Sequence, residues 1–168
     1  RTFATSKELY EAGFLMDLSD IAALKENFTP ASLEAFQADD GAIYAVPYAA
    51  YTYIVYYNKA IFSEYGVAVP STFEELIAVA QALKDKGIEP LANGIASNWD
   101  ILECVFLAML PNYVGGAAER ALYESGEKKM NNGAFVKALT DYAALTKYFP
   151  EGFESIKNED SFNMFGLG

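Results

Sequence analysis

Hydrophobic and polar positions along this chain switch between helix-like and strand-like spacing. Over residues 70–87 the pattern is helical. Phe73, Leu76, Ile77, Ala80 and Leu83 mark one face, with Glu74, Glu75, Gln81, Lys84 and Asp85 opposite. Thr72 and Glu75 stand at the capping-box spacing, in which hydroxyl and carboxylate each satisfy a free backbone N–H. Gly87 supplies the stop. Strand-like runs flank this helix. Residues 51–57 read Tyr-Thr-Tyr-Ile-Val-Tyr-Tyr, all β-branched or aromatic, and residues 88–91 are a second such run. Strand, helical crossover and strand predict a βαβ unit with parallel strands and a right-handed connection.

The remaining pattern is mostly short helices. Residues 6–13, 18–28 and 30–36 read as three of them, with Pro30 where a first turn tolerates proline. Asp40-Gly41 is a turn dipeptide before a short apolar strand at 42–46, which Pro47 ends. A helix at 60–65 closes at Gly66, and a buried helix is expected at 98–110. A loose Gly115-Gly116 segment follows, then an amphipathic helix at 133–148 capped by Asn132, a Phe149-Pro150-Glu151-Gly152 loop, and a last helix at 160–165. The fold class predicted is α/β, with helices around a partly parallel sheet. No internal repeat or low-complexity tract interrupts it.

Composition narrows the chemistry. Of 168 residues, 52% are hydrophobic and 15% aromatic, ample for a core. Twelve Lys and Arg against 23 Asp and Glu give a formal charge of −11, which lacks the basic footprint of a nucleic-acid binder. There is no histidine, so no Ser-His-Asp triad, Cys-His pair or His-ligated metal. The single cysteine, Cys104, excludes an intramolecular disulfide and reads as a small hydrophobe. Gly115-Gly116 and Gly166-Leu167-Gly168 match neither a dinucleotide fingerprint nor a P-loop, and no cofactor is expected. The longest apolar stretch, 101–111, is broken by Glu103 and falls short of the ~20 residues of a membrane span. The chain opens at Arg1 without a leader, as expected of a processed or excised boundary.

Open α/β sheets bind ligands beyond the carboxyl ends of their strands. That rule points to residues 93–100, which follow the 88–91 run and hold the single tryptophan. Two readings stand side by side here. Trp99 can stack on the apolar face of a sugar while Asn98 and Asp100 bind hydroxyls. Alternatively Ser97 or Asn98 caps the following helix, Asp100 favours its dipole, and Trp99 packs. A second cluster comprises Tyr48, Tyr51, Tyr53, Tyr56 and Tyr57, more phenols than a core requires. Tyr51, at the start of the strand, is best placed to reach a cleft. The adjacent carboxylates Asp39-Asp40, Glu74-Glu75 and Glu159-Asp160 do not face one another and read as surface or capping groups.

Several of these residues carry a resemblance. Ile43-Tyr-Ala-Val-Pro-Tyr48, Tyr56-Tyr-Asn-Lys59, Ile61-Phe62 and Pro70-Ser-Thr-Phe-Glu-Glu-Leu76 occur in one order at short spacing. The string resembles the middle of the extracellular solute-binding proteins of carbohydrate ABC transporters, the group that includes the maltodextrin-binding protein. Ala134-Phe-Val-Lys-Ala-Leu139 and Phe162-Asn-Met-Phe165 resemble two later helices of that group. The resemblance implies a periplasmic-binding-protein-like fold of two α/β lobes joined by hinge strands, incomplete here because members are more than twice as long. Residues 1–50 would end the first N-terminal-lobe segment and approach the hinge, and residues 51–168 would form the first part of the C-terminal lobe.

By the same resemblance, Tyr51 lies at a hinge-side ligand position and Trp99 in a C-lobe ligand loop. The implied function is capture of a mono- or oligosaccharide between the lobes for delivery to a membrane permease, without catalysis. The implied place is extracellular or periplasmic, with or without a lipid anchor. A lobe lacking later strands would expose a sheet edge, so self-association is expected. Two rivals belong to other classes. A glycoside hydrolase needs two carboxyls facing one cleft ~5–10 Å apart. A metal receptor using Tyr56 and Tyr57 is disfavoured because alternation sends neighbouring side chains to opposite faces of a strand.

Overall fold

Helices dominate because they satisfy their backbone locally. In the computed structural model, which describes residues 3–49, 52–97, 99 and 104–168, the chain divides into two units, residues 1–52 and 53–168. The first unit contains α1 (Phe3–Glu11), α2 (Ala22–Asn27) and α3 (Pro30–Glu34). Proline stands at the first turn of α3, and the Thr29 hydroxyl accepts from Ser32 N–H to cap it. Leu24, Leu33 and Ile43 form the buried cluster of this unit, with Leu18 and Phe28 packed against it. Ile43 is fixed by its backbone as well: its N–H donates to Ser19 Oγ (3.0 Å), and its carbonyl accepts from Leu18 N–H (2.8 Å).

The second unit contains α4 (Lys59–Tyr65), α5 (Phe73–Lys84), the short turns α6 (Leu107–Met109) and α7 (Pro111–Val114), α8 (Ala117–Glu124), α9 (Gly133–Leu145) and α10 (Asn158–Leu167). The capping box of α5 is present: Glu75 N–H donates to Thr72 Oγ1 (3.1 Å), and Thr72 N–H donates back to Glu75 Oε2 (3.2 Å). Asn58 and Asn132 cap α4 and α9 through their side-chain oxygens. Gly66 closes α4 in the left-handed conformation that other residues adopt at a cost.

α5 and α9 hold the core together. Ala80 and Leu83 of α5 are buried, as are Ala138 and Leu145 of α9 and the following Tyr148 and Phe149. Tyr148 O–H donates to Gln81 Oε1 (3.0 Å), and Lys84 Nζ donates to the carbonyl of Lys147 (2.6 Å). From α9 an aromatic column runs outward. Phe106, Tyr142, Phe149 and Phe153 meet in sequence, edge to face, at centroid separations of 6.0, 6.4 and 5.4 Å. The Tyr142 hydroxyl is buried within it, with no hydrogen-bond partner among the described residues.

Two expectations differ from the structure. The runs at 52–57 and 88–91 form no strand ladder among the described residues, where the isolated antiparallel bridge is Gln37–Ile43. Strand propensity makes a backbone extended, but a ladder needs a second strand ~4.8 Å away. Between the loose Gly115-Gly116 segment and the helix at 133, where no element was expected, residues 117–124 form the helix α8, with an exposed Arg120–Glu124 pair (2.7 Å) along its side. Part of the helix expected at 98–110 lies outside the described residues; from 104 onward the chain is helical in short broken turns.

The orphaned hydroxyl gives the first prediction. An unsatisfied buried polar atom costs ~1–3 kcal/mol, so Tyr142→Phe is expected to raise stability by roughly 1 kcal/mol in denaturant melts. The same burial pushes the Tyr142 phenol up to about 12 from its ordinary 10.0. A phenol that holds its proton more tightly when folded contributes its stability fully below pH 10, and that contribution is lost as pH rises through 10 toward 12. The Tyr142→Phe chain should therefore lose less stability than wild type over that window.

Candidate functional site

The segment singled out by its position beyond the 88–91 run is built from the end of α5. Gly87, with φ of 78°, turns the chain, and Ile88 N–H closes on the carbonyl of Leu83 (3.1 Å). Residues 88–93 form neither helix nor strand, make a tight turn in which Asn93 N–H donates to the Leu91 carbonyl (3.0 Å), and lead into a strap, residues 94–97, laid across residues 153–158. Ile95 N–H donates to the Phe153 carbonyl (3.0 Å) and Ala96 N–H to the Ile156 carbonyl (3.0 Å). Asn158 N–H, in the first turn of α10, donates to Ser97 Oγ (3.2 Å).

This crossing requires glycine at its closest point. A Cβ on Gly94 would overlap the carbonyl oxygen of Ile156 and stand 2.6 Å from the Ile156 Cβ. The strap and the 153–158 turn thus approach backbone to backbone. Just beyond the strap, Trp99 leaves its side chain 48% exposed. Among the described residues, its ring has no aromatic or hydrogen-bonding partner.

The other expected site residues fall as follows. Tyr51, Asn98 and Asp100 lie outside the described residues. Tyr48 belongs to the first unit and is 93% exposed. In the second unit the run at 53–57 is exposed throughout. Tyr56 meets Phe165 of α10 (6.5 Å) and Tyr57 meets Phe62 of α4 (5.0 Å). The two phenols turn to different helices, as strand alternation required.

One or both members of each carboxylate pair have a partner. Asp39 pairs with Lys7 (2.6 Å), Asp40 accepts from Tyr10 O–H (3.2 Å), Glu75 closes the α5 cap, and Asp160 accepts from Lys157 N–H (3.2 Å). Among the described residues, no group of three or more His, Cys, Asp or Glu is placed to hold a metal. Asp141 sits between Tyr113 O–H (2.8 Å) and Lys137 Nζ (2.7 Å), and the lysine is the leading cause that holds its carboxyl below the usual range. This cluster joins α7 to α9 and is structural.

Sequence reasoning offered Ser97 or Asn98 as the cap of the following helix, whose start lies outside the described residues. What it missed is a bond to α10, where Asn158 N–H, 61 residues further on, donates to the Ser97 hydroxyl. One signal was available. Lys157 precedes α10, and an ammonium has no lone pair with which to cap a helix, so the acceptor had to come from elsewhere. The role of Gly94 carried no such signal, because a close approach depends on what lies opposite.

Comparisons with known proteins extend this picture. The family model for bacterial extracellular solute-binding proteins matches residues 2–168. An ABC transporter extracellular-binding protein of Pyrococcus horikoshii is 31% identical over 128 residues, covering 74% of this chain and 28% of that protein. A protein of Rhizobium meliloti named "Probable sugar-binding periplasmic protein" is 38% identical over 85 residues, 49% of this chain and 20% of its own length. The solved structure of a chitin oligosaccharide binding protein superposes with a TM-score of 0.86 at 27% identity, covering 97% of this chain and 42% of that one. The chain therefore spans less than half the length of these relatives.

The close approach is testable by one methyl group. Gly94→Ala is expected to destabilise the chain by ~1–3 kcal/mol, the usual cost of overpacking. A lowered thermal midpoint by circular dichroism checks this. An unchanged midpoint would mean that the strap does not lie against Ile156.

Proposed function

We propose, since the chain belongs to the bacterial extracellular solute-binding protein family, that it is part of the substrate-binding component of an ABC importer. In this reading a carbohydrate, a mono- or oligosaccharide, is enclosed between two lobes and handed to a membrane permease. The observation that carries it is the family match over residues 2–168. Likeness to a chitin oligosaccharide binding protein along 97% of this chain supports a sugar as the ligand. Residues 1–50 contribute to one lobe and residues 51–168 to the other. The extended runs at 52–57 and 88–91 are strands of sheets whose other members come from the rest of the receptor. Such a receptor works outside the cytoplasmic membrane, with or without a lipid anchor, and has no bond to break.

Trp99 supplies the stacking face for the C–H side of a pyranose, as its exposure at the end of the strap supports. Asn98 and Asp100 flank it with amide and carboxylate groups for hydroxyls. Tyr51 and Tyr48 add phenols from the hinge side. Neither rival gains support: Asp39, Asp40, Glu75 and Asp160 of the adjacent carboxylate pairs are engaged by other groups, and Tyr56 and Tyr57 diverge.

Calorimetry on the receptor-length protein, with galactose, xylo-oligosaccharides and chitin oligosaccharides as probes, tests the reading. Trp99→Ala should weaken the sugar that binds by ~1–3 kcal/mol, the range of an aromatic hot spot, and leave the thermal midpoint nearly unchanged. A variant that melts early yet binds normally when folded would return Trp99 to a packing role. No heat with any of the sugars would count against a carbohydrate ligand altogether.

The 168-residue chain by itself should associate. Val55 and Tyr56 are 78% and 71% exposed, and Phe162 of α10 is 68% exposed. Exposed apolar side chains of this kind offer a surface to a second copy. Light scattering should show mass rising with concentration, and a constant monomer mass would refute the association.

A further inference from the structure

We propose that Ser97 is a positioning residue: its hydroxyl ties the segment carrying Trp99 to the first turn of α10 and thereby holds the indole in place for ligand. The assignment rests on the reading of Trp99 as a ligand contact given above.

The case begins with a deficit in α10. A helix starts with backbone N–H groups that have no partner inside it, and a neighbouring Ser, Thr, Asp or Asn usually accepts from one of them. Here the preceding residue is Lys157, in extended backbone (φ −84°, ψ 165°), and its ammonium can only donate. Asp160 reaches back to Lys157 N–H (3.2 Å) but leaves Asn158 N–H to be met from elsewhere. Ser97 Oγ meets it at 3.2 Å. A helix start and the candidate ligand segment therefore complete each other.

The geometry explains why this matters for the indole. Ile95 and Ala96 are fixed by backbone bonds to Phe153 and Ile156, and Ser97 is the next anchored residue. Trp99 lies two residues further, within ~7 Å of that anchor along an extended chain. Without the Ser97 hydroxyl the last fixed point retreats to Ala96, and the reach grows to ~10 Å. Trp99 is 48% exposed, and the backbone that carries it follows directly on the Ser97 anchor. A contact held in place before ligand arrives avoids the ordering cost that a loose one meets on binding.

The chain contains one tryptophan, so its fluorescence reports this position alone. Three variants separate anchoring from general stability. Ser97→Ala removes the acceptor. Asn158→Pro removes the donor from the other side, at the first helical position, where proline is well tolerated. Ser97→Thr keeps the hydroxyl. The first two are expected to lower the anisotropy of the indole and raise its quenching by acrylamide, with helicity by circular dichroism retained, and Ser97→Thr should restore wild-type values.

In the receptor-length protein, Ser97→Ala should weaken binding of the sugar that wild type accepts by about 2- to 10-fold, as expected for one hydrogen bond. If either disrupting variant unfolds, the other still reports. An indole held as firmly in Ser97→Ala and Asn158→Pro as in wild type overturns the anchoring. A freed indole together with unchanged sugar affinity upholds the anchoring and overturns the ligand role of Trp99 instead.

Discussion

The second unit depends on the crossing of residues 94–97 over residues 153–158. Three hydrogen bonds and one glycine make it: Ile95 and Ala96 donate to the Phe153 and Ile156 carbonyls, Ser97 accepts from Asn158, and Gly94 lets the backbones meet. Its partners lie about 60 residues apart in sequence, so the loop must close before the bonds can form. Local helix formation cannot supply that closure. The platform under the strap must be in place first.

The aromatic column provides the platform. Phe149 and Phe153 flank the turn after α9, and Tyr142 links them through edge-to-face contacts to Phe106. Large rings bridge gaps that short aliphatic side chains would leave open, which suits a unit built of short helices rather than one long pair. The column also explains an odd feature. Tyr142 stands where its ring is wanted and its hydroxyl is not, so packing outweighs one orphaned polar atom. Tyr148 occupies the opposite case, burying its ring while its hydroxyl finds Gln81.

What could be read from the sequence follows from which interactions are local. The Thr72–Glu75 capping box, the Asn132 cap and the Gly66 and Gly87 stops all act within four residues, and each was visible in the residues themselves. α8 was hidden because Gly115 and Gly116 precede it and its N-cap is Gly116, which has no side chain to announce a start. The tyrosine-rich run at 51–57 has the composition of a strand, but pairing depends on a partner that no local pattern names. For the site, the rule that ligands gather beyond strand ends led to Trp99 from the 88–91 run alone. The bond from Asn158 N–H to the Ser97 hydroxyl was not legible, since its two members lie 61 residues apart.

The placement of α10 adds one more constraint. Ten helical residues span ~15 Å, and this helix touches two quite different places. At its start Asn158 donates to Ser97, two residues before Trp99. Near its end Phe165 packs against Tyr56 in the extended run that opens the second unit. A hydrogen-bonded helix changes length far less readily than a loop, so these two contacts are held in a fixed relation. The strap can move relative to residues 53–57 only if α10 tilts, or if one of its end contacts breaks. Of the two, the Ser97 bond is a single neutral hydrogen bond and the Phe165 contact a single tilted ring pair, so both are modest in energy. The stiff member of the assembly is the helix, and the adjustable ones are its attachments, one of which stands beside the exposed indole.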